Sequence, residues 1–254
     1  MNIELKKELS ILDLGDLAAI LEKQESDLSM ADVSHEEKIE AMISELITIR
    51  RNKMISRLIK NAELKYSSAN INSLDCEARE ISKDQIKRLA SMGFITSSTN
   101  LIIAGPTGAG KTYLACTLGV EACKKAYRTH YVRMPDMLKH ISEHRENLRE
   151  QVRYMKRLGN YSLLIIDEWL NYKINDRESK FIYELIEYRC GNSPTIFVSQ
   201  YNIGDWHDRL GSGTHADSIM DRIVHNSYEI KTSDTNLRKI YDGKKAQKLI
   251  DSIK

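Results

Sequence analysis

Apolar residues recur at helical spacing through the first 65 positions: Leu14, Leu17, Ala18 and Leu21 in one stretch, Ile39, Ile43 and Leu46 in another. No proline and only Gly15 among the glycines interrupt that stretch, which predicts an all-helical N-terminal domain over 1–65. Ser34, followed three residues later by Glu37, forms a capping-box pair that opens a helix running to about Ala62. This helix starts acidic (Glu36, Glu37, Glu40, Glu45) and ends basic (Arg50, Arg51, Lys53, Arg57, Lys60). That gradient complements the helix dipole, and it also offers a phosphate-contacting basic end. Residues 66–80 are polar and read as a connector.

From residue 81 the pattern changes. Ser82 with Gln85 opens a short helix expected to end near Gly93. Asn100–Ala104 is then continuously apolar rather than alternating, as a strand buried on both faces of a parallel sheet must be. Similar runs recur at 130–132, 163–166 and 195–199. Between them lie helical patterns at about 111–126, at 136–158 with Pro135 in the first turn, and at 176–190. The last has Asn175 as its N-cap, Glu178 at the third helical position and Gly191 just past its end. Strand and helix alternate, so residues 81–254 are expected to form an α/β domain with a parallel central sheet flanked by helices.

Composition narrows the classes. With 41% hydrophobic and 29% charged residues, the 254-residue chain can bury a core. No apolar run approaches the roughly 20 residues of a membrane span, and the first residues lack the apolar stretch of a secretory signal. Cys76, Cys116, Cys123 and Cys190 show no CxxC pair and no disulfide framework, which favours the cytoplasm. A net charge of +2 says nothing by itself about nucleic acid, so only the distribution of charge can.

The strongest chemical signal is Gly105-Pro106-Thr107-Gly108-Ala109-Gly110-Lys111-Thr112, which fits G-x-x-x-x-G-K-[ST] between a buried strand and a helix. Its glycines let successive amides converge on phosphate oxygens, and the helix start adds its positive end. Lys111 is expected to reach the β- and γ-phosphates of ATP, and the Thr112 hydroxyl to bind Mg²⁺. Farther on, the apolar run 163–166 leads into Asp167-Glu168. Asp167 would hold Mg²⁺, directly or through water. Glu168 can polarise an attacking water, which points to hydrolysis rather than transfer to a substrate hydroxyl; otherwise it caps the following helix.

Taken together, residues 101–115 and 163–168 resemble the IstB/DnaC-type branch of the AAA+ ATPases, which comprises bacterial transposition helpers and helicase loaders. Ser199-Gln200-Tyr201-Asn202-Ile203-Gly204-Asp205-Trp206 resembles the family's strand-end sensor, and Thr214 to His225 resembles its Asp-Arg segment. The resemblance covers about residues 80–240 and is closer to the transposition helpers. It implies an AAA+ P-loop core and an ATPase that assembles as a homo-oligomer on DNA and regulates a transposase. It further implies that Arg222 is an arginine finger acting on a neighbouring subunit's ATP, and that Gln200 stands where an asparagine sensor is usual. Without the family context, an Asp-Arg pair on a helix is an ordinary surface ion pair. Tyr113 stands where histidine is common and Leu170 where glycine often follows the acidic pair. Arg238 invites comparison with a second sensor, and is read instead as a surface or nucleic-acid contact because the chain ends too soon for a full helical lid.

DNA contacts are expected along Lys139, Arg145, Arg149, Arg153, Lys156 and Arg157, with Arg145, Arg149, Arg153 and Lys156 or Arg157 on one helical face. Few aromatics interleave these residues, so backbone contact tolerant of sequence is the expected mode. Interleaved Glu143, Glu146 and Glu150 leave ordinary ion pairing along the helix as the other reading. Lys239, Lys244, Lys245 and Lys248 are weaker candidates. His140 and His144 have zinc-gripping spacing but no third ligand, and Trp169 reads as packing. Two rival functions remain, a DnaC-like replicative helicase loader and a small-molecule P-loop kinase.

Overall fold

A computed structural model describes residues 2–27, 33–237, 239 and 240. The chain divides into two compact units, Met1–Arg57 and Leu58–Lys254. The first carries α1 (Ile3–Ile11), α2 (Gly15–Ser26) and most of α3 (His35–Asn61). Both arms of the Ser34–Glu37 capping box are present at the start of α3: the Glu37 amide donates to Ser34 Oγ at 3.3 Å, and the Ser34 amide to Glu37 Oε2 at 3.1 Å. Charge pairs tie these helices, among them Lys6–Glu22 at 2.8 Å and Lys53–Asp16 at 2.5 Å. Buried apolar side chains are few here, Leu9, Ala18 and Ile20, and Ile39, Ile43 and Ile47 on α3 are exposed.

The second unit holds a five-stranded parallel sheet in the order β2-β3-β4-β1-β5, made of β1 (Asn100–Ala104), β2 (Thr129–Arg133), β3 (Leu163–Asp167), β4 (Thr195–Ser199) and β5 (Ser227–Lys231). The expected parallel α/β architecture is therefore present. The apolar runs are continuous because alternate residues enter two cores. Leu101, Ile103, Leu163, Ile165, Ile196 and Val198 face one, while Ile102, Ala104, Leu164, Ile166 and Phe197 face the other. The first core is closed by α4 (Lys83–Ala90), α5 (Gly93–Thr96) and α6 (Lys111–Lys124). The second is closed by α7 (Met134–Glu143), α8 (Leu148–Gly159), α9 (Asp176–Arg189), α10 (Trp206–Arg209) and α11 (Gly213–Val224). No described helix is long and apolar enough to cross a membrane.

Several local expectations need correction. The helix expected over 136–158 is two helices, because Asn147 caps α8 by accepting the Glu150 amide at 3.1 Å and α7 has already ended at His144. Arg145 consequently lies in the turn and not on the face carrying Arg149, Arg153 and Lys156. The helix opened by Ser82 stops at Ala90, and Met92, left-handed at φ 64°, starts the separate turn of α5. Gln85 does not return to the cap; its side-chain amide donates to the Tyr228 hydroxyl at 2.9 Å. Residues 66–80 do more than connect, since Ala69, Leu74 and Cys76 are buried in the first core. By contrast α9 carries the complete capping box of Asn175 and Glu178, and Gly191 follows it at φ 72°.

Candidate functional site

Strand register gathers the site at the carboxyl edge of the sheet. Arg133 pairs with Asp167 across β2 and β3, and Ala104 with Ser199 across β1 and β4. The residues that follow, Gly105, Glu168 and Gln200, therefore leave the sheet side by side. This edge is where an open α/β sheet binds its ligands. A cavity of about 600 Å³ opens there, lined by Thr107, Gly108, Gly110, Lys111, Thr112, Asp167, Glu168 and Gln200 among others. The phosphate-loop motif, the acidic pair and the strand-end glutamine thus share one cavity.

The loop meets its neighbours closely. A side chain at Gly110 would lie 2.6 Å from an Arg79 guanidinium nitrogen, and one at Gly108 would lie 2.6 Å from Asn236 Cγ. Both glycines also have left-handed backbones, at φ 80° and 91°. From Gly110 the chain enters α6, whose first turn turns free amides toward the cavity. Lys111 Nζ donates to the carbonyls of Gly105 and Pro106 at 2.6 and 2.8 Å. Burial pushes this ammonium down to about 8, with Asp167 pulling the other way. The Thr107 hydroxyl donates to Gln200 Oε1 at 2.6 Å, so the longer glutamine arm spans from β4 to the loop.

Asp167 is 3% exposed and accepts three hydrogen bonds: from Thr112 Oγ1 at 2.9 Å, from the Tyr131 hydroxyl at 2.7 Å and from the Glu168 amide at 2.8 Å. Burial raises the Tyr131 phenol well above its ordinary range, so at neutral pH it is a donor. A hydroxyl and a carboxylate 2.9 Å apart suit Mg²⁺, which takes one or two protein oxygens and completes its shell with phosphates and water. The amides, Lys111 and this oxygen pair fit a magnesium-bound nucleoside triphosphate. Among the described residues no group of three or more His, Cys, Asp or Glu side chains is placed to hold a metal, and His140 and His144 stack on each other at 4.4 Å.

Glu168 sits at φ 57°, a sparsely populated conformation for a non-glycine residue and one that collects at functional sites. Its carboxylate is held bidentately by Arg133, at 3.0 and 2.9 Å. It does not cap α9; Asn175 does. Trp169 behind it is fully buried, edge-on to Phe197 and Trp206, and serves as packing. Leu170 has φ 55°, which is the conformation a glycine at that place would supply freely.

The structure does not bring every candidate here. Arg222 lies on α11, ion-paired with Glu187 and donating to the Ser218 carbonyl at 3.0 Å, and does not line the cavity. Lys139, Arg145, Arg149, Arg153, Lys156 and Arg157 are exposed on α7, α8 and the turn between them. Lys139 pairs with Glu143 at 3.8 Å and Arg153 with Glu150 at 2.7 Å, so part of the ordinary pairing is present. Arg238, Lys244, Lys245 and Lys248 lie outside the described residues. The sequence reasoning missed Arg133, Tyr131, Tyr66 and Arg79, of which the last two also line the cavity. Tyr131 and Arg133 had one usable signal, their place in and just past the apolar run 130–132; that this strand neighbours the acidic pair comes from the sheet order.

Comparison with known proteins agrees with this geometry. The chain is 29% identical over 240 residues to a protein named as an insertion-sequence ATP-binding protein of Sinorhizobium fredii, covering 94% of this chain and 95% of that one. It is 33% identical over 195 residues to the corresponding protein of insertion sequence IS1162 from Pseudomonas fluorescens, covering 76% and 84%. Among solved structures, the DnaC helicase loader matches with a TM-score of 0.57 at 19% identity, over 66% of this chain and 99% of that one. DnaA from Aquifex aeolicus bound to AMPPCP matches at 0.54 and 20% identity, over 71% and 55%. These likenesses show the fold alone, a parallel sheet flanked by helices with the phosphate loop at its carboxyl edge. The family model described as IstB-like ATP binding protein matches residues 7–245, and the chain belongs to that family.

Proposed function

We propose that this protein is a Mg²⁺-dependent ATPase that binds DNA, assembles on it as an ATP-dependent oligomer and regulates the transposase of an insertion sequence. The observation that carries the reading is the convergence of Lys111, Thr112, Asp167, Glu168 and Gln200 on one cavity at the sheet edge. Relatives named as insertion-sequence ATP-binding proteins, similar over most of both chains, support the setting.

Each residue then has a part. The loop amides and Lys111 bind the phosphates, Thr112 and Asp167 hold the metal, and Gln200 orients the attacking water. Glu168 accepts that water's proton once it has parted from Arg133. Bound Mg²⁺ would neutralise charge on the β- and γ-phosphate oxygens. Arg222 is absent from the lining of its own chain's cavity, which suits a finger acting on the next subunit's nucleotide. The exposed arginines of α8 supply backbone contacts to DNA. The exposed apolar row Ile39, Ile43 and Ile47 suits the N-terminal helices to a protein partner.

The test is sizing of the full chain with and without ATP and duplex DNA, with Arg222→Ala beside it. Assembly that needs both ligands and fails in the variant is the expected result. A chain that stays monomeric throughout would overturn the reading, and capture of a replicative helicase in preference to the transposase would move it to a helicase loader.

A further inference from the structure

We propose that Arg79 binds the phosphates of the nucleotide held by its own chain, as a second cation beside Lys111; this rests on the nucleotide-binding reading above. The Arg79 side chain is 3% exposed, and its one hydrogen bond to a described residue runs from NH1 to the Asp75 carbonyl at 2.7 Å. Among the described residues its buried Nε has no hydrogen-bond partner and the guanidinium forms no ion pair. A buried guanidinium has five donors and cannot shed its charge, so donors left over are costly until an anion takes them.

The guanidinium is placed to meet one. It lines the same cavity as Lys111, Thr112 and Tyr113, lies 5.7 Å above the Tyr113 ring and packs against Gly110, where a methyl group would meet NH2 at 2.6 Å and Nε at 2.8 Å. Its backbone is fixed from the far end of the chain, since the Ser233 amide donates to the Arg79 carbonyl at 3.1 Å and Ser233 Oγ to the Ala78 carbonyl at 2.7 Å. Gly110 to Tyr113 is the first turn of α6, whose amides cradle the α- and β-phosphates in a loop of this motif, while the lysine reaches the β- and γ-phosphates. Arg79 therefore grips the diphosphate part, which ATP and ADP share. A guanidinium that only stapled the turn at 75–79 would leave nucleotide affinity alone.

The experiment measures dissociation constants for ATP, ADP and AMP by calorimetry on the full chain, comparing wild type, Arg79→Gln, Arg79→Lys and Lys111→Ala. Arg79→Gln should weaken ATP and ADP by the same factor, about 10- to 100-fold, as removal of a charge-assisted hydrogen bond does, with Arg79→Lys recovering part. In wild-type protein the Arg79 Nε–H resonance, assigned by its disappearance in Arg79→Lys, should shift when ADP is added, a readout that stands even if Arg79→Gln fails to fold. Wild-type affinities in folded Arg79→Gln, or a stationary resonance at saturating ADP, would overturn the proposal. If Lys111→Ala loses ATP while Arg79→Gln keeps it, only Arg79 falls; if wild type binds neither nucleotide, the underlying reading falls with it.

Discussion

Replacing Arg133 with methionine should release Glu168 and raise basal ATP turnover. The guanidinium meets the carboxylate through two bonds of 3.0 and 2.9 Å, a planar fork stronger than a single contact. The pair is not deeply buried, however: the Arg133 side chain is 41% exposed and that of Glu168 29%. Water screens it, so its coupling is about 1 kcal/mol rather than the several of a desolvated pair. A carboxylate tied this way must part from the guanidinium before it can take a proton from water, and that cost adds to the barrier. About 1 kcal/mol corresponds to roughly fivefold in rate. Methionine keeps the aliphatic stem and removes the charge. The longer contact to Asp136, 3.5 Å from another arm of Arg133, is exposed, and removing it costs under about 1 kcal/mol. The assay is steady-state phosphate release at saturating ATP and Mg²⁺. The expected result is a rate about fivefold above wild type, falling to the level of Glu168→Gln when both changes are combined. Turnover in Arg133→Met as low as in Glu168→Gln, with nucleotide affinity intact, would refute the reasoning and make Arg133 a participant rather than a restraint.

Lys111 gives a pH signature. With its folded value near 8 against an ordinary 10.5, the folded chain sheds this proton before the unfolded chain does. The penalty of the buried ammonium is thus present below about pH 8 and relieved as pH rises toward 10.5, so this group's share of stability grows with pH. Nucleotide affinity runs the other way and should fall by up to about one decade per pH unit above roughly 8, in a calorimetric series that Lys111→Arg flattens. A flat wild-type series from pH 7 to 9.5 would contradict this. Arg189, 2% exposed, donates to the carbonyls of Leu158, Gly159, Tyr161 and Pro194 and to Thr195 Oγ1. Arg189→Met strands those acceptors and should cost about 3 kcal/mol or more, a fall in Tm of roughly 6–12 °C by calorimetry; a fall under about 2 °C would show the carbonyls finding water. Changing Arg149, Arg153, Lys156 and Arg157 together to alanine should flatten the salt dependence of duplex binding by up to about 0.9 in log–log slope for each phosphate they neutralise. An unaltered slope would move the DNA surface off α8.

The parts that were legible in the sequence are those whose signal is contiguous. The phosphate loop is one run of eight residues, Asp167-Glu168 closes one apolar run, and four strands announce themselves by burial on both faces. β5 escaped because Ser-Tyr-Glu-Ile-Lys lies at the sheet edge and buries only Ile230. The break between α7 and α8 is marked in the sequence, since Asn147 and Glu150 repeat the spacing of Asn175 and Glu178, but the basic residues at helical spacing run straight across it. Arg79 carried no local mark at all, and Arg133 only its place just past the apolar run 130–132. Their importance comes from what the fold sets against them, Gly110 and Glu168, and strand register or a long-range backbone contact is not written in neighbouring residues.

Four side chains of the site are satisfied from within it: Lys111 by the loop's own carbonyls, Thr107 by Gln200, Thr112 by Asp167 and Glu168 by Arg133. Phosphates entering it would exchange these bonds for new ones, so the binding energy is a difference and the displaced partners are its readout. Arg133 matters most in that exchange, because it is the N-cap residue of α7, and α7 leads through the turn at 144–147 into α8 with its exposed arginines. Under the proposed function the distance from hydrolysis to DNA is thus one helix and one turn. Whatever free energy the nucleotide contributes to DNA binding through that element, DNA must return to nucleotide binding in equal measure, since the coupling is reciprocal. A restraint worth about 1 kcal/mol sets its scale: enough to bias an assembly at each subunit interface, and small enough for hydrolysis to undo.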